Sequence, residues 1–181
     1  VQHVAMADWC DLALVVPATA NGLAKMAHGL ADDVVTTTLL AVTAPVMVVP
    51  AMNVHMYENP ATQRNLAQLR ADGLTIMEPD TGFLAEGYEG KGRLPELHRI
   101  VAQVERLYAR THLPQSLAGK QVIVSAGGTR ERIDPVRYIS NDSSGKMGYA
   151  MAQAADWLGA TVTLVSTTHS LLPPEGVQVQ E

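Results

Sequence analysis

Only one cysteine, Cys10, occurs in the 181 residues, so the chain closes no internal disulfide and builds no cysteine-based metal centre. A reducing cytoplasm is the compartment this fits. Aromatic residues make up 4%, which leaves Ala, Val, Leu and the eight methionines to fill a core. Charge is scarce as well, at 17% of residues with a net charge of -5. No basic stripe is present, which argues against a nucleic-acid partner. No apolar run reaches the roughly 18 residues a membrane span needs, and no signal peptide, repeat or low-complexity tract is seen. The chain also lacks an opening methionine: Val1-Gln-His3 reads like the interior of a domain, so a fragment is expected.

What remains is 47% hydrophobic, enough for a buried core and unlike a disordered chain. Leu12-Ala-Leu-Val-Val16 is a continuous apolar run ending at Pro17, the pattern of a central parallel strand. Leu23, Met26, Ala27 and Leu30 follow at helical spacing. Asp32 or Asp33 caps the next helix, which runs through Val34–Ala41 despite three threonines, poor helix formers. Val46-Met-Val-Val49 is a second buried strand. Asn59-Pro60 starts a helix that stops at Gly73, and Leu74–Met77 is a third strand. A glycine-rich loop spans Gly82–Arg93, with four glycines among residues 82 to 92. Pro95 opens an amphipathic helix carrying Leu97, Ile100, Val101, Val104, Leu107 and Tyr108 on one face.

Residues 111–118 have no periodicity and read as a linker. A fresh unit then begins: strand Val122–Val124, loop Ser125–Arg130, a polar stretch, a helix with Met147, Ala150, Met151, Ala154 and Leu158, and strand Thr161–Val165. Strand, glycine loop, helix and strand open a Rossmann-like domain. The expected organisation is α/β throughout. An incomplete Rossmann-like or flavodoxin-like parallel sheet (1–110) is followed by a linker (111–118) and the start of a second Rossmann-like domain (119–181).

Loops at the carboxyl ends of parallel strands are where such folds bind ligands. Two qualify in the first half. Pro50-Ala-Met-Asn-Val-His-Met-Tyr-Glu58 offers Asn53, whose amide can hold a carboxylate without adding charge. Taken alone it is equally an ordinary strand-to-helix loop, with Met52 and Met56 as packing. Pro17-Ala-Thr-Ala-Asn21 has small side chains that admit a planar group, with Thr19 and Asn21 as hydrogen-bonding partners; a tight turn would use the same residues. His3 is a proton-transfer candidate by its near-neutral intrinsic pKa, or simply a solvated histidine. In the second half, Gly127-Gly-Thr129 follows a strand and Ser143-Ser-Gly-Lys146 precedes a helix, a phosphate-friendly placement with Arg130, Arg132 and Arg137 nearby. Neither is a Walker A loop, which needs Gly at 140 and Ser or Thr at 147 where the chain has Ser140 and Met147. Capping and turn chemistry account for them equally well.

In order along the chain, these motifs resemble the family of bifunctional phosphopantothenoylcysteine decarboxylase / phosphopantothenate–cysteine ligases of bacterial coenzyme A synthesis. The resemblance rests on His3 with Ala7-Asp-Trp9, Pro17-Ala-Thr-Ala-Asn21, Gly29-Leu-Ala-Asp32, Pro50-Ala-Met-Asn53 with Met56-Tyr57, and Asp134-Pro-Val-Arg-Tyr-Ile-Ser-Asn141 with Ser143-Ser-Gly-Lys-Met-Gly148. It implies an FMN-dependent decarboxylase in which FMN takes a hydride from the carbon bearing the thiol and carbon dioxide then leaves. His3 would handle protons, Asn53 would hold the departing carboxylate, and Thr19, Ala20, Asn21 and Met52 would line the flavin. Glu86 stands where the family often has a proton-donating cysteine. The resemblance further implies a ligase that activates 4′-phosphopantothenate with CTP and Mg2+ for attack by cysteine. Gly127, Gly128, Thr129, Ser143, Ser144, Gly145 and Lys146 would lie near the phosphates, and Asn141 near the oxyanion.

The implied substrates are 4′-phosphopantothenate, cysteine and phosphopantothenoylcysteine, in a homo-oligomer with no nucleic acid and no membrane. The chain by itself is expected to lack ligase activity and to bind little flavin. An oxidative peptidyl-cysteine decarboxylase and a non-catalytic flavin-binding module are the alternatives. The ligase-like segment weighs against the first; the presence of both His3 and Asn53 weighs against the second. A plain NAD dehydrogenase would require a dinucleotide glycine pattern that neither half has.

Overall fold

The apolar run Val46–Val49 becomes the most buried strand of its unit. In the computed structural model, which describes residues 1–181, β2 (Val46–Pro50) lies between β1 (Ala13–Ala18) and β3 (Thr75–Ile76), parallel to both. Alternation along β2 sends Val48 to one face, against Leu23, Tyr57, Leu66 and Leu69, and Met47 and Val49 to the other, against Met77 and Ile100. Full burial of such a side chain stabilises by about 1.5–3 kcal/mol, so β2 is the anchor on which the neighbouring loops are hung.

Helices α2 (Ala20–His28) and α5 (Pro60–Ala71) supply the Val48 face, and α6 (Leu97–His112) the other. The remaining helices of this unit are α1 (Gln2–Trp9), α3 (Val34–Ala41) and the five-residue α4 (Val54–Glu58). Helix α2 ends at Gly29 in the left-handed conformation (φ 68°), the expected glycine stop. Lys25 then bridges Asp32 and Asp33 across the turn. Asp33 caps α3 through the Thr36 N–H, and that bond holds its carboxyl below the ordinary value. The α3 threonines are compatible with a helix because their hydroxyls bond locally, Thr37 to the Ala31 carbonyl and Thr38 to the Val34 carbonyl.

Three expectations are corrected. Strand β1 is an edge strand within this chain, with Leu14 and Val16 40% and 39% exposed; an apolar run reports apolar faces, not the number of neighbouring strands. The glycine-rich loop is an antiparallel hairpin, β4 (Asp80–Phe83) with β5 (Glu89–Arg93). The polar stretch after residue 129 is a second hairpin, β7 (Arg130–Arg132) with β8 (Tyr138–Ser140).

The chain divides into two compact units, Val1–Tyr108 and Ala109–Glu181. Helix α6 continues through Thr111 and His112, so the start of the expected linker is helical. In the second unit β6 (Gln121–Ala126), β9 (Thr161–Ser166) and β10 (Gln178–Gln180) form a parallel sheet in the order β10-β9-β6. Helix α7 (Lys146–Trp157) covers one face with Tyr149, Ala152 and Ala155 over Val162 and Leu164. A Cβ at Gly148 would fall 2.5 Å from Ala126 Cβ, so glycine there permits the close approach of helix and strand. Asp156 is buried and bonded by Arg110, whose Nη1 donates to its Oδ1 at 3.0 Å and its carbonyl at 2.6 Å. No helix is long and apolar enough to cross a membrane.

Candidate functional site

Because β1 and β2 are parallel neighbours, the loops that leave their carboxyl ends emerge side by side. Ala18 is paired with Pro50 in the register, and the Ala51 N–H donates to the Ala18 carbonyl at 3.2 Å. The Thr19–Asn21 and Met52–Asn53 segments are therefore brought together at one edge of the sheet. Thr19 begins α2: its Oγ1 accepts from the Gly22 N–H at 3.0 Å. Ala20 is the first residue of that helix, and Asn21 is exposed beside it. Asn53 begins α4 in the same manner, its Oδ1 accepting from the His55 N–H at 2.8 Å. With its oxygen so engaged, Asn53 presents its amide nitrogen, a neutral donor.

The β4–β5 hairpin lies directly on this second loop. The Met52 N–H donates to the Gly92 carbonyl at 3.0 Å. A Cβ at Gly90 would fall 2.6 Å from Val54 Cβ, and one at Gly92 would overlap the Met52 carbonyl oxygen. The glycines thus make possible a close approach that side chains would prevent. Tyr88, at the foot of the hairpin turn, accepts a hydrogen bond from Asn53 Nδ2 at 2.5 Å and packs its ring 5.7 Å from that of His55. Sequence reasoning missed Tyr88. The available signal was its place between two glycines in the run expected to approach something closely.

An ionic latch holds the hairpin from the other side. Glu78 pairs with Lys91 of β5 and, at 3.0 Å, with Arg70 of α5; Lys91 also stands 5.5 Å over the Tyr57 ring. The Lys91 hydrogen bond, followed by the charges of Lys91 and Arg70, holds the Glu78 carboxyl below its ordinary 4.5, with burial acting the opposite way. The Glu78 hydrogen bond likewise raises Lys91 above 10.5. A lowered carboxyl pKa stabilises the fold above the unfolded value and loses that contribution as pH falls through the folded value. A raised lysine pKa stabilises below 10.5 and loses its contribution as pH rises through the folded value. The latch is therefore intact across neutral pH and opens below pH 4.5. Both partners are substantially exposed, so Glu78→Gln should speed amide exchange in Glu89–Arg93 only roughly 2- to 5-fold at neutral pH. It should also remove the acid-induced increase, measured by hydrogen exchange corrected for intrinsic rates. Exchange in the variant that still accelerates on acidification as in the parent would show that Glu78 is not the latch.

His3 is half-buried in the first turn of α1, a helix that packs against α3; no hydrogen bond ties it to either loop. Glu86 is exposed in the hairpin turn and makes no hydrogen bond, so this fold does not itself desolvate it. A cavity of about 170 Å³ lined by Met26, Leu30, Leu40, Leu69 and Leu74 lies near Val46, at the opposite end of β2, and includes none of the expected residues.

In the second unit the loops after β6 and β9 also converge. Thr167 Oγ1 donates to the Gly128 carbonyl at 2.7 Å, and Ser140 Oγ to the Thr129 carbonyl at 2.8 Å. Asn141 Oδ1 accepts from the Ser143 N–H at 3.0 Å and lies where a Cβ on Gly128 would clash. Gly127 and Gly145 have positive φ, 91° and 76°. A cleft of about 420 Å³ is lined by Gly127, Ser143, Ser144, Gly145 and Lys146 among others. Of the expected residues, Gly127 and Ser143–Lys146 line this opening while Gly128 and Asn141 lie against each other, and α7 starts there with no side-chain cap.

Residues 1–109 match the Flavoprotein family, and residues 117–181 match the DNA/pantothenate metabolism flavoprotein C-terminal domain. The chain is 54% identical over 178 residues to the coenzyme A biosynthesis bifunctional protein CoaBC of Bacillus subtilis (strain 168). That alignment covers 98% of this chain and 43% of the relative, so the chain spans less than half the relative's length. A PPC decarboxylase with a cysteine-to-serine mutation, complexed with pantothenoylaminoethenethiol, is similar with a TM-score of 0.57 at 37% identity, covering 58% of this chain and 59% of that one. The FMN-dependent cysteine decarboxylase SpaF is similar with a TM-score of 0.50 at 44% identity, covering 59% and 57%. The architecture common to these neighbours is the flavodoxin-like α/β fold with a parallel sheet.

Proposed function

The chain belongs to the Flavoprotein family, and from that premise we propose that the protein decarboxylates an N-acylcysteine with FMN as cofactor, 4′-phosphopantothenoylcysteine being the substrate. The observation that carries this reading is the adjacency of the Thr19 and Asn53 loops on neighbouring parallel strands. The residues present fit a flat cofactor: Ala18, Ala20 and Gly22 keep one loop low, while Thr19, Asn21 and Met52 supply polar and soft apolar contacts at its rim. When bound, FMN supplies the oxidant that makes the carbon–carboxylate bond labile.

The chain's own residues then bind and orient. Asn53 holds the carboxylate through a neutral amide, which grips it without the ground-state stabilisation a cation would add and which would oppose its loss. His3 handles the proton. Glu86 supplies the last proton once bound substrate covers the turn; by itself the turn leaves it in water. The match over residues 117–181 favours a small acylcysteine over a peptide. In the second unit, Gly127, Gly128, Thr129 and Ser143–Lys146 would hold the phosphates of CTP with Mg2+, and Asn141 would donate to the developing oxyanion as 4′-phosphopantothenate is joined to cysteine. The assembly is a homo-oligomer in this reading.

The test uses the protein expressed from the whole coding region that carries this sequence, loaded with FMN. Carbon dioxide and the matching thiol should appear from phosphopantothenoylcysteine, with product identity read by mass. A loaded, folded protein that releases no carbon dioxide from any N-acylcysteine would remove the decarboxylase reading.

A further inference from the structure

Resting on the decarboxylase reading, we propose that Tyr88 is a second carboxylate-binding residue, its phenol completing with Asn53 a two-donor, uncharged cradle for the substrate's carboxylate. The geometry fixes the direction of each bond. Asn53 Oδ1 is occupied by the His55 N–H at 2.8 Å, so the amide cannot turn over without losing that bond. Asn53 Nδ2 places one hydrogen on the Tyr88 oxygen at 2.5 Å and keeps a second free. Tyr88 has then used its oxygen as acceptor, and its own hydroxyl hydrogen meets no acceptor in the structure. Two free donors on atoms this close can both reach one carboxylate.

The phenol is held in place by more than this bond. Its ring packs at 41° against His55, and the strand that follows it is docked through the Met52–Gly92 hydrogen bond and the contact of Gly90 with Val54. Glu86, two residues earlier, is exposed without a partner. Tyr88 is the turn residue whose side chain is tied to Asn53. Two neutral donors bind an anion by charge-assisted hydrogen bonds and still leave its departure unopposed by a fixed positive charge.

The experiment separates carboxylate recognition from folding and from turnover, using the FMN-loaded protein expressed from its whole coding region and its Tyr88→Phe variant. The probes are N-pantothenoylserine, which keeps the carboxylate and replaces the thiol with a hydroxyl, and N-pantothenoylethanolamine, which lacks the carboxylate. Removing the phenol hydroxyl should weaken the serine compound about 10- to 100-fold and leave the ethanolamine compound within about 2-fold, with thermal unfolding unchanged. A KM for the natural acid that rises with the serine-compound Kd completes the expected result. Equal weakening of both probes would mean a structural role only, and no weakening of either would mean no role; each overturns the assignment of Tyr88 while parent turnover upholds the decarboxylase. A parent protein that binds FMN and does not decarboxylate overturns the underlying reading, and this inference with it.

Discussion

Asn53→Asp is expected to reduce decarboxylation more than Asn53→Ala does, while harming the fold less. Aspartate keeps an oxygen for the His55 N–H, the bond that starts α4, so the cap survives. Alanine loses it, at about 0.5–2 kcal/mol. For turnover the order reverses. Alanine removes one hydrogen bond to a charged group, about 1.5–3 kcal/mol or roughly 10- to 100-fold. Aspartate removes the same bond and sets a negative charge against the substrate carboxylate. At about 4 Å and an effective dielectric near 20, that repulsion is about 4 kcal/mol, on the order of 10³-fold in the binding that precedes reaction. Steady-state kcat/KM and denaturant unfolding of the two variants check both halves of the crossing. If aspartate turned over faster than alanine, the carboxylate would not lie against this side chain.

The two loop tips were legible in the sequence because each follows a short continuous apolar run, the pattern of a strand in a parallel sheet, and because Asn59-Pro60 fixed where the next helix begins. Their being neighbours was legible only as an assumption: composition does not order strands, and the Ala18–Pro50 pairing is a tertiary fact. The β4–β5 hairpin was illegible for a different reason. With Gly82, Gly90 and Gly92 in its strands, it has no apolar alternation and a single β-branched residue, Thr81, and its pairing is made through backbone bonds that leave no side-chain pattern. The same glycines did signal close approach. What they could not disclose was the object approached, the backbone at Met52 and the side chain of Val54. Tyr88 went unnoticed because its partner, Asn53, is thirty-five positions away in the chain. Gly128 and Asn141 in the second unit illustrate the same limit: each was a candidate alone, and their mutual contact depends on the β7–β8 hairpin that bridges them.

Gly92→Ala should then be the most damaging small substitution in the hairpin. Its added Cβ would overlap the Met52 carbonyl oxygen, a backbone atom fixed by β2 and α4 that has no rotamer to yield. Strand β5 must lift, and the Met52–Gly92 hydrogen bond is lost with it. Overpacking of this kind costs about 1–3 kcal/mol and the bond a further 0.5–1.5 kcal/mol or so. Docking of the hairpin should therefore weaken by roughly 2–4 kcal/mol. Tyr88 would leave Asn53, and decarboxylation should fall on the order of 10²-fold, while the β2 core, with no side chain in the clash, should keep its unfolding midpoint. Gly87→Ala is the control. Gly87 has a φ of 88° and open space around its Cβ position, so alanine there pays only the left-handed backbone penalty, about 1–2 kcal/mol, confined to the turn. Hydrogen exchange at residues 88–93 and kcat/KM should both separate the two variants by an order of magnitude or more. Equal behaviour of Gly92→Ala and Gly87→Ala would mean that the hairpin acts through its turn, and that its close seat on Met52 has no part in the reaction.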